Sequence, residues 1–240
     1  MLRVSSMIDK KRPDWNLSIQ GMFGRISGRY DLLNTLMSFG RDKQWRRHLI
    51  DIAGIPRTGT MLDLGAGTGE IALDAKRGNP GLRVVALDLT ADMMKVGREK
   101  PTGREIGWVN ADALTLPFAD GSFDIVTSGY LMRNVPDVFR AFREQLRVVR
   151  RGGRVACLDT CPPRDNILKP FISLYFRYGI PLLGGIVSGQ WAAYRYLPAS
   201  IQAFKTPSEL AGIMESAGFT DVRFRQLMFD TVAVLVGTRP

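Results

Sequence analysis

The thirteen residues Met61–Leu73, MLDLGAGTGEIAL, constrain this chain more than any other stretch. Met61, Leu62 and Leu64 form a short apolar run that stops at Gly65, Gly67 and Gly69, after which Ile71, Leu73 and Ala75 open an amphipathic helix. Strand, glycine turn and helix fit that order. Glycine at three of five positions leaves no Cβ atoms to hold a ligand off the main chain, and the helix start offers unpaired N–H groups and the positive end of a dipole.

The spacing separates two kinds of ligand. Dinucleotide turns read G-x-G-x-x-G and hold a pyrophosphate; this turn reads G-x-G-x-G, with Asp63 two residues ahead and no basic residue near. A carboxylate there suits a cationic amine. A second buried strand, Leu82–Leu87, ends in Asp88, placed to accept both hydroxyls of a ribose. A third, Ile106–Val109, is followed by Asn110-Ala111-Asp112-Ala113, where Asp112 can accept an adenine amine and the small Ala113 leaves room for the ring. Amine, sugar and base together describe S-adenosylmethionine. The donor residues expected are Asp63, Gly65, Gly67, Thr68, Asp88, Leu89, Asp112, Ala113 and Gly129; no metal site is expected. A glycine triplet alone would fit a plain turn, and the three acidic strand ends favour a methyl donor over a nicotinamide.

Taken in order, residues 1–20 read as a flexible or partner-dependent arm and residues 21–240 as one domain. Phe23, Ile26, Tyr30, Leu33, Leu36 and Met37 recur at helical spacing, and Trp45, Leu49 and Ile52 form a second helix. Tyr30, Asp31 and Asn34 put three polar groups on a core-facing helix and need a reason to be there. The fourth strand, Phe123–Ser128, leads into Gly129-Tyr130-Leu131-Met132-Arg133-Asn134 at the carboxyl edge of the sheet, where open α/β folds bind substrates. Val138, Phe142, Leu146 and Val149 mark a helix stopped by Gly152-Gly153, and Val155–Leu158 is a fifth strand. Residues 162–205 form a long insertion, broken by prolines yet rich in aliphatic and aromatic residues, which implies a covering helix pair, a greasy substrate surface, or both. Thr206-Pro207-Ser208-Glu209 is a capping box starting a helix through Ala217, and Asp221–Leu227 with Thr231–Gly237 close the chain as an antiparallel hairpin. The fold expected is α/β: a doubly wound, Rossmann-like sheet of seven strands, of the class I methyltransferase type, with N-terminal helices and an apolar insertion after strand five.

The net charge of +10 is uneven, with ten basic and four acidic residues in positions 1–50. Such a region meets nucleic acid or anionic lipid headgroups, and composition does not choose. Two cysteines, Cys157 and Cys161, and no secretory signal argue for a reducing compartment. The longest apolar stretch, Gly179–Gly189, is broken by Pro181 and falls short of the roughly 20 residues of a membrane span. The expected location is cytoplasmic, at most peripheral to a membrane.

Beyond these common features, YDLLNTLMSFGRDKQW at 30–45, MRNVPD at 132–137, RVVRRGGRVACLD at 147–159 and YRYLPASI at 194–201 resemble the UbiE/MenG (COQ5-like) family of quinone-ring C-methyltransferases, from about Met22 to Thr238. The chain departs from the family's usual pattern at Asp42, Gly129, Arg150-Arg151, Asp159, Cys161 and Leu235, which leaves the donor residues intact and bears on the substrate. The resemblance implies methyl transfer to a ring carbon of a prenylated hydroquinone, demethylmenaquinol or the equivalent ubiquinone-pathway benzoquinol. It also implies Arg133 as the group that stabilises a phenolate or holds the water that takes its proton. Asn134, Tyr30 and Tyr196 would orient the ring, with core packing an equal explanation for the tyrosines. The partners implied are the lipophilic quinol, received by the apolar region 171–194, and an anionic membrane touched peripherally by the basic N-terminal region; a homodimer stays open, and no nucleic acid is expected. An RNA methyltransferase is the main competitor, but Ser-Gly-Tyr-Leu stands where amine-directed enzymes carry Asn/Asp-Pro-Pro-aromatic, and Cys161 has no Pro-Cys partner after strand four. A non-catalytic donor-binding partner of quinone enzymes is the second.

Overall fold

The computed structural model describes residues 10 and 12–240. Seven strands form one sheet among the described residues: β1 (Gly59–Leu64), β2 (Leu82–Asp88), β3 (Gly107–Asn110), β4 (Phe123–Gly129), β5 (Val149–Thr160), β6 (Thr220–Leu227) and β7 (Val232–Thr238), in the order β3-β2-β1-β4-β5-β7-β6. The first five run parallel and β7 pairs antiparallel with both β5 and β6, as the terminal hairpin implied. Register decides what meets at the carboxyl edge: Leu64 lies beside Leu87 and Ser128, and Asp88 beside Asn110, so the loops after β1, β2, β3 and β4 emerge together. Strand order reverses between β1 and β4, the crevice where such sheets take ligands.

Side chains alternate across each strand and feed two cores. Leu62, Leu64, Val126 and Leu235 pack against α6 (Val138–Val148) and α10 (Pro207–Ser216), where Phe142 and Met214 are fully buried. Met61, Ile125, Ala156 and Val234 pack on the other face with Leu49 of α3 (Asp42–Ala53) and Leu73 of α4 (Glu70–Gly78). The capping box at Thr206 and Glu209 is present in full. A third cluster joins α2 (Tyr30–Met37) to the insertion, whose helices are α7 (Lys169–Leu174), α8 (Ile180–Ser188) and α9 (Trp191–Gln202); α5 (Ala91–Glu99) follows β2.

Three expectations need correction. The arm expected over 1–20 ends early, because α1 (Trp15–Ile26) begins at a buried Trp15 whose indole N–H donates to the Asn134 carbonyl at 2.9 Å; residues 1–9 and 11 lie outside the described residues. Gly152-Gly153 does not stop a helix: α6 ends at Val148, and the glycines sit inside β5, where the register against β4 shifts. The insertion contains an unbroken helical rod over 169–188, in which a π-turn at Tyr175–Gly179, closed by the Ile180 N–H on Tyr175 O, precedes Pro181 at the first turn of α8. At 20 residues and a mean hydropathy of 1.3 it is long and apolar enough to cross a membrane by length and composition alone. Close approach fixes it to α9, since a Cβ at Gly184 would lie 2.0 Å from the Tyr194 ring.

The end of α2 is strained. The Gly40 N–H reaches Thr35 O at 2.7 Å and the Phe39 N–H reaches Leu36 O at 3.2 Å, the Schellman pattern, and its left-handed position is taken by Phe39 at φ 54°. A left-handed conformation costs an ordinary residue about 1–2 kcal/mol. Phe39→Gly is therefore expected to raise stability by about 1 kcal/mol in chemical denaturation, a gain absent if the ring's contact with Tyr175, centroids 5.6 Å apart, outweighs the strain.

Candidate active site

Two cavities meet above the carboxyl edge of the sheet. The first, about 720 Å³ including its mouth, has the loops after β1–β4 as its floor and α1 as its roof. Gly65, Gly67, Asp88, Leu89, Asp112, Ala113 and Gly129 all line it, as expected from sequence, together with Tyr30 and Asn134. Gly65 and Gly67 are left-handed, at φ 64° and 56°, and a Cβ on Gly67 would stand 3.2 Å from the Met93 methyl. Asp88 accepts the Gly67 N–H at 2.7 Å through one oxygen and the Thr90 N–H at 2.7 Å through the other, and each oxygen keeps a lone pair for a hydroxyl. Among the described lining residues there are two carboxylates and no cation. That balance fits a sulfonium with an ammonium group and opposes a phosphate.

Asp63 and Thr68 do not line the cleft. Asp63 is buried beneath the loop, where its two oxygens accept from the Thr127 hydroxyl at 2.9 Å and the Ala72 N–H at 3.2 Å, so it braces β1 against α4 and β4 from outside the cleft lining. Thr68 points away and donates to Asp31, which also pairs with Lys100. The polar residue Asp31 on α2 thereby finds its reason: it ties the glycine loop to the helix carrying Tyr30. Burial pushes the Asp63 carboxyl up to about 7, against the Thr127 and Ala72 hydrogen bonds. A folded-state value above the unfolded one favours the folded form in acid and loses that contribution as pH rises through about 7. Asp63→Asn is expected to remove on the order of 4 kcal/mol of pH dependence between the ordinary carboxylate range and neutrality, read as the difference between wild-type and variant denaturation midpoints across pH. Parallel curves would place that titration elsewhere.

Sequence reading missed the roof. Asn16 of α1 donates to Asp112 at 2.9 Å, Gln20 donates to the Leu89 carbonyl at 3.0 Å, and Ile19 and Phe23 line the cleft. The signal was present, because Trp15, Ile19, Met22, Phe23 and Ile26 continue a helical period backward from the recognised helix.

The second cavity, about 1250 Å³ with its mouth, is an apolar groove between the insertion and the ends of β4, β5 and the β6–β7 turn. Phe39, Phe171, Ile172, Tyr175, Leu197 and Phe229 are among its walls, and its polar groups include Asn34, Thr160 and Arg133. Arg133 is buried, with Nη1 2.6 Å from Asp159 Oδ1 and its main-chain N–H donating to Asp159 Oδ2 at 3.1 Å. Its Nε has no hydrogen-bond partner among the described residues. A buried donor without a partner costs the fold, and the Arg133 side chain that carries it lines the groove.

Tyr130 alone among the described residues lines both cavities. Its backbone is left-handed at φ 58°, held by its N–H on Leu158 O at 2.7 Å and by the Asn134 amide on its carbonyl at 2.9 Å, and the Arg133 guanidinium lies 5.2 Å from its ring centroid. Strain of this kind persists where the surrounding structure over-determines it. The Tyr196 hydroxyl donates to Asn134 Oδ1 at 2.7 Å, so both ends of the Asn134 amide are engaged within the protein, and Tyr196 lines neither main cavity. Burial raises the hydroxyls of Tyr30 and Tyr130 and lifts that of Tyr196 to about 12, so each remains protonated near neutrality.

A parallel five-strand core with a terminal antiparallel hairpin and a phosphate-averse, acid-lined cleft at its switch point defines a class I methyltransferase, with S-adenosyl-L-methionine as the methyl donor. The sequence model of the ubiE/COQ5 methyltransferase family matches residues 8–239, and the chain belongs to that family. It is an S-adenosylmethionine-dependent C-methyltransferase. Relatives include the ubiquinone/menaquinone biosynthesis C-methyltransferase UbiE of Desulfotalea psychrophila, 43% identical over 92% of this chain and 90% of that protein. The demethylmenaquinone methyltransferase of Thermus thermophilus is 43% identical over 91% of this chain and all of its own length. Among solved structures, a Thermotoga maritima S-adenosylmethionine-dependent methyltransferase aligns at TM-score 0.66 and 18% identity, covering 92% of this chain and 99% of that one. Haemonchus contortus phosphoethanolamine N-methyltransferase 2 in complex with S-adenosyl-L-methionine aligns at TM-score 0.61 and 18% identity, covering 81% of this chain and 52% of that one, and shares the fold.

Proposed function

We propose that the chain methylates a ring carbon of a prenylated hydroquinone, with demethylmenaquinol as the substrate, at the cytoplasmic face of a membrane to which it binds peripherally. The relatives' names support the quinone class. The observation that carries the reading is the apolar groove joined to the acid-lined cleft through Tyr130, with Arg133 in the groove wall. The bound donor supplies an electrophilic methyl carbon. The chain's own residues must then hold an electron-rich ring carbon in line with it, keep water out, and stabilise the charge left when the neighbouring hydroxyl loses its proton.

Arg133 meets the last requirement: Asp159 fixes its guanidinium in the wall of the groove, where its positive charge favours a phenolate oxygen. Tyr130 gives the ring a flat wall between groove and cleft. Asn134 and Tyr196 are positioning residues in this scheme, since their hydrogen bonds lead to the Tyr130 carbonyl. The insertion 162–205 covers the prenyl tail. An RNA substrate fits less well, because the Cys161 thiol donates to the Asp230 carbonyl and burial lifts it to about 12, which leaves no thiolate for a pyrimidine mechanism.

Methyl-labelled donor incubated with demethylmenaquinol in vesicles tests the reading: label in a quinol heavier by one methyl supports it, and label confined to RNA, or transferred to nothing, overturns it. Tyr130→Ala should lower kcat/KM for the quinol by ~10²-fold, the scale on which small misplacements act. Donor affinity, read by calorimetry, should stay within about threefold, since the donor contacts of this reading come from Asp88, Asp112 and the glycine loop.

A further inference from the structure

The rod over 169–188 is apolar on two sides. Phe176, Ile180 and Val187 face the fold and pack with Leu33 and Tyr194. On the opposite side Phe171, Leu174, Tyr178, Leu182 and Ile186 recur at spacings of three and four residues, and all five are exposed. A stripe that spans the sixteen residues 171–186 of a helix runs ~22 Å, too long to count as scattered surface apolar residues.

Two further exposed side chains stand at the mouth of the groove this rod walls. Phe39 and Phe229 line the groove yet are 68% and 60% exposed, and both sit at φ 54°, in the left-handed region that disfavours an aromatic residue. At each place the chain accepts backbone strain and exposed apolar surface together. Strain retained in this way points to a role outside the folded monomer.

Charge identifies what meets this face. Between Asp165 and Glu209 the sequence has no acidic residue and four cations, Lys169, Arg177, Arg195 and Lys205, while Arg41 and Lys43 follow Phe39 and are exposed. Cations around an apolar stripe suit anionic headgroups above acyl chains. A second copy of the chain would bring two such faces into like-charge contact. The inner side of the rod is committed to the fold's own cluster, so the helix cannot sit in lipid on all sides and lies along the membrane plane instead of crossing it.

We propose that this face is a lipid-docking surface, on which the outer stripe of the rod and the rim residues Phe39 and Phe229 enter the interfacial layer of an anionic bilayer and open the groove directly onto the acyl region. It rests on the reading of the substrate as a lipophilic quinol, whose tail would then reach the groove without crossing water.

Flotation with phosphatidylcholine vesicles, with and without phosphatidylglycerol, tests the surface. Wild type should float with the anionic vesicles and release at high salt. Leu174→Gln/Leu182→Gln/Ile186→Gln, which touches no groove-lining residue, should partition at least about tenfold less, with an unchanged melting curve. Methylation of a short-chain, water-soluble quinol should be unchanged, while turnover of a long-chain quinol in vesicles falls by a similar factor. Phe39→Gly should also weaken flotation while melting no lower than wild type. Flotation of the triple variant equal to wild type overturns the proposal, as does sedimentation showing a wild-type dimer that the triple variant dissolves. If wild type floats as described but methylates neither quinol, the substrate reading fails and the docking surface stands.

Discussion

Arg133→Met is expected to lose ~10²–10³-fold in kcat, the cost of removing one donor aimed at developing negative charge, and to destabilise the fold by about 3–5 kcal/mol. The two losses have different origins. The stability loss comes from Asp159, a buried carboxylate left without its Arg133 Nη1 partner. The rate loss comes from the positive charge that Arg133 holds in the groove wall, which methionine does not supply. A double variant, Arg133→Met/Asp159→Leu, separates them: replacing a buried pair by apolar groups of similar volume is often neutral or stabilising. Denaturation of the double variant should return near wild type while kcat stays low and donor affinity by calorimetry is retained. Arg133→Lys keeps the charge but loses the planar fork, and should recover only part of the rate. A double variant that is both stable and active would remove Arg133 from the chemistry and leave it a packing residue.

That distinction shows how far the sequence could be read. The donor floor was legible because its parts are main chain and strand ends: a glycine turn, Asp88 and Asp112 land at one edge as soon as strands run parallel. Asp63 misled for the same reason. It too stands near a strand end, but at an inward register, beside Thr127, and period-two alternation does not reveal whether an acidic side chain faces a cleft or a helix. Arg133 and Tyr196 were recognisable as residues of interest, yet only three dimensions show that Arg133 lines the groove and that Tyr196 hydrogen-bonds Asn134. Tyr130 was legible only as a member of the stretch at the carboxyl edge, since a left-handed backbone at a tyrosine cannot be read from residue type. The rod was hidden by Pro181, which reads as a breaker and is accommodated by the π-turn before it.

Asp88→Ala should weaken the methyl donor by about 10²–10³-fold, more than any other single change in the cleft. The carboxylate fastens the glycine loop through the Gly67 N–H and the next turn through the Thr90 N–H, and in the reading proposed above its remaining lone pairs accept the ribose hydroxyls. Hydrogen bonds to a charged group contribute about 1.5–3 kcal/mol each, so losing the sugar contacts and loosening the loop together reach that range. Asparagine is a poor substitute, because its NH₂ would face one of the two main-chain donors. Burial raises the Asp88 carboxyl above the usual range, opposed by the Thr90 and Gly67 N–H groups. As pH falls toward that raised value the group takes up a proton and can no longer accept from two N–H groups and two hydroxyls, so donor affinity should decline on the acid side. A cationic ligand favours the ionised form and drives the proton off. Calorimetry below neutrality in two buffers of different ionisation heat should therefore show proton release on donor binding in wild type and none in Asp88→Ala; equal release from both would assign the proton to another group and leave Asp88 only its loop-holding role.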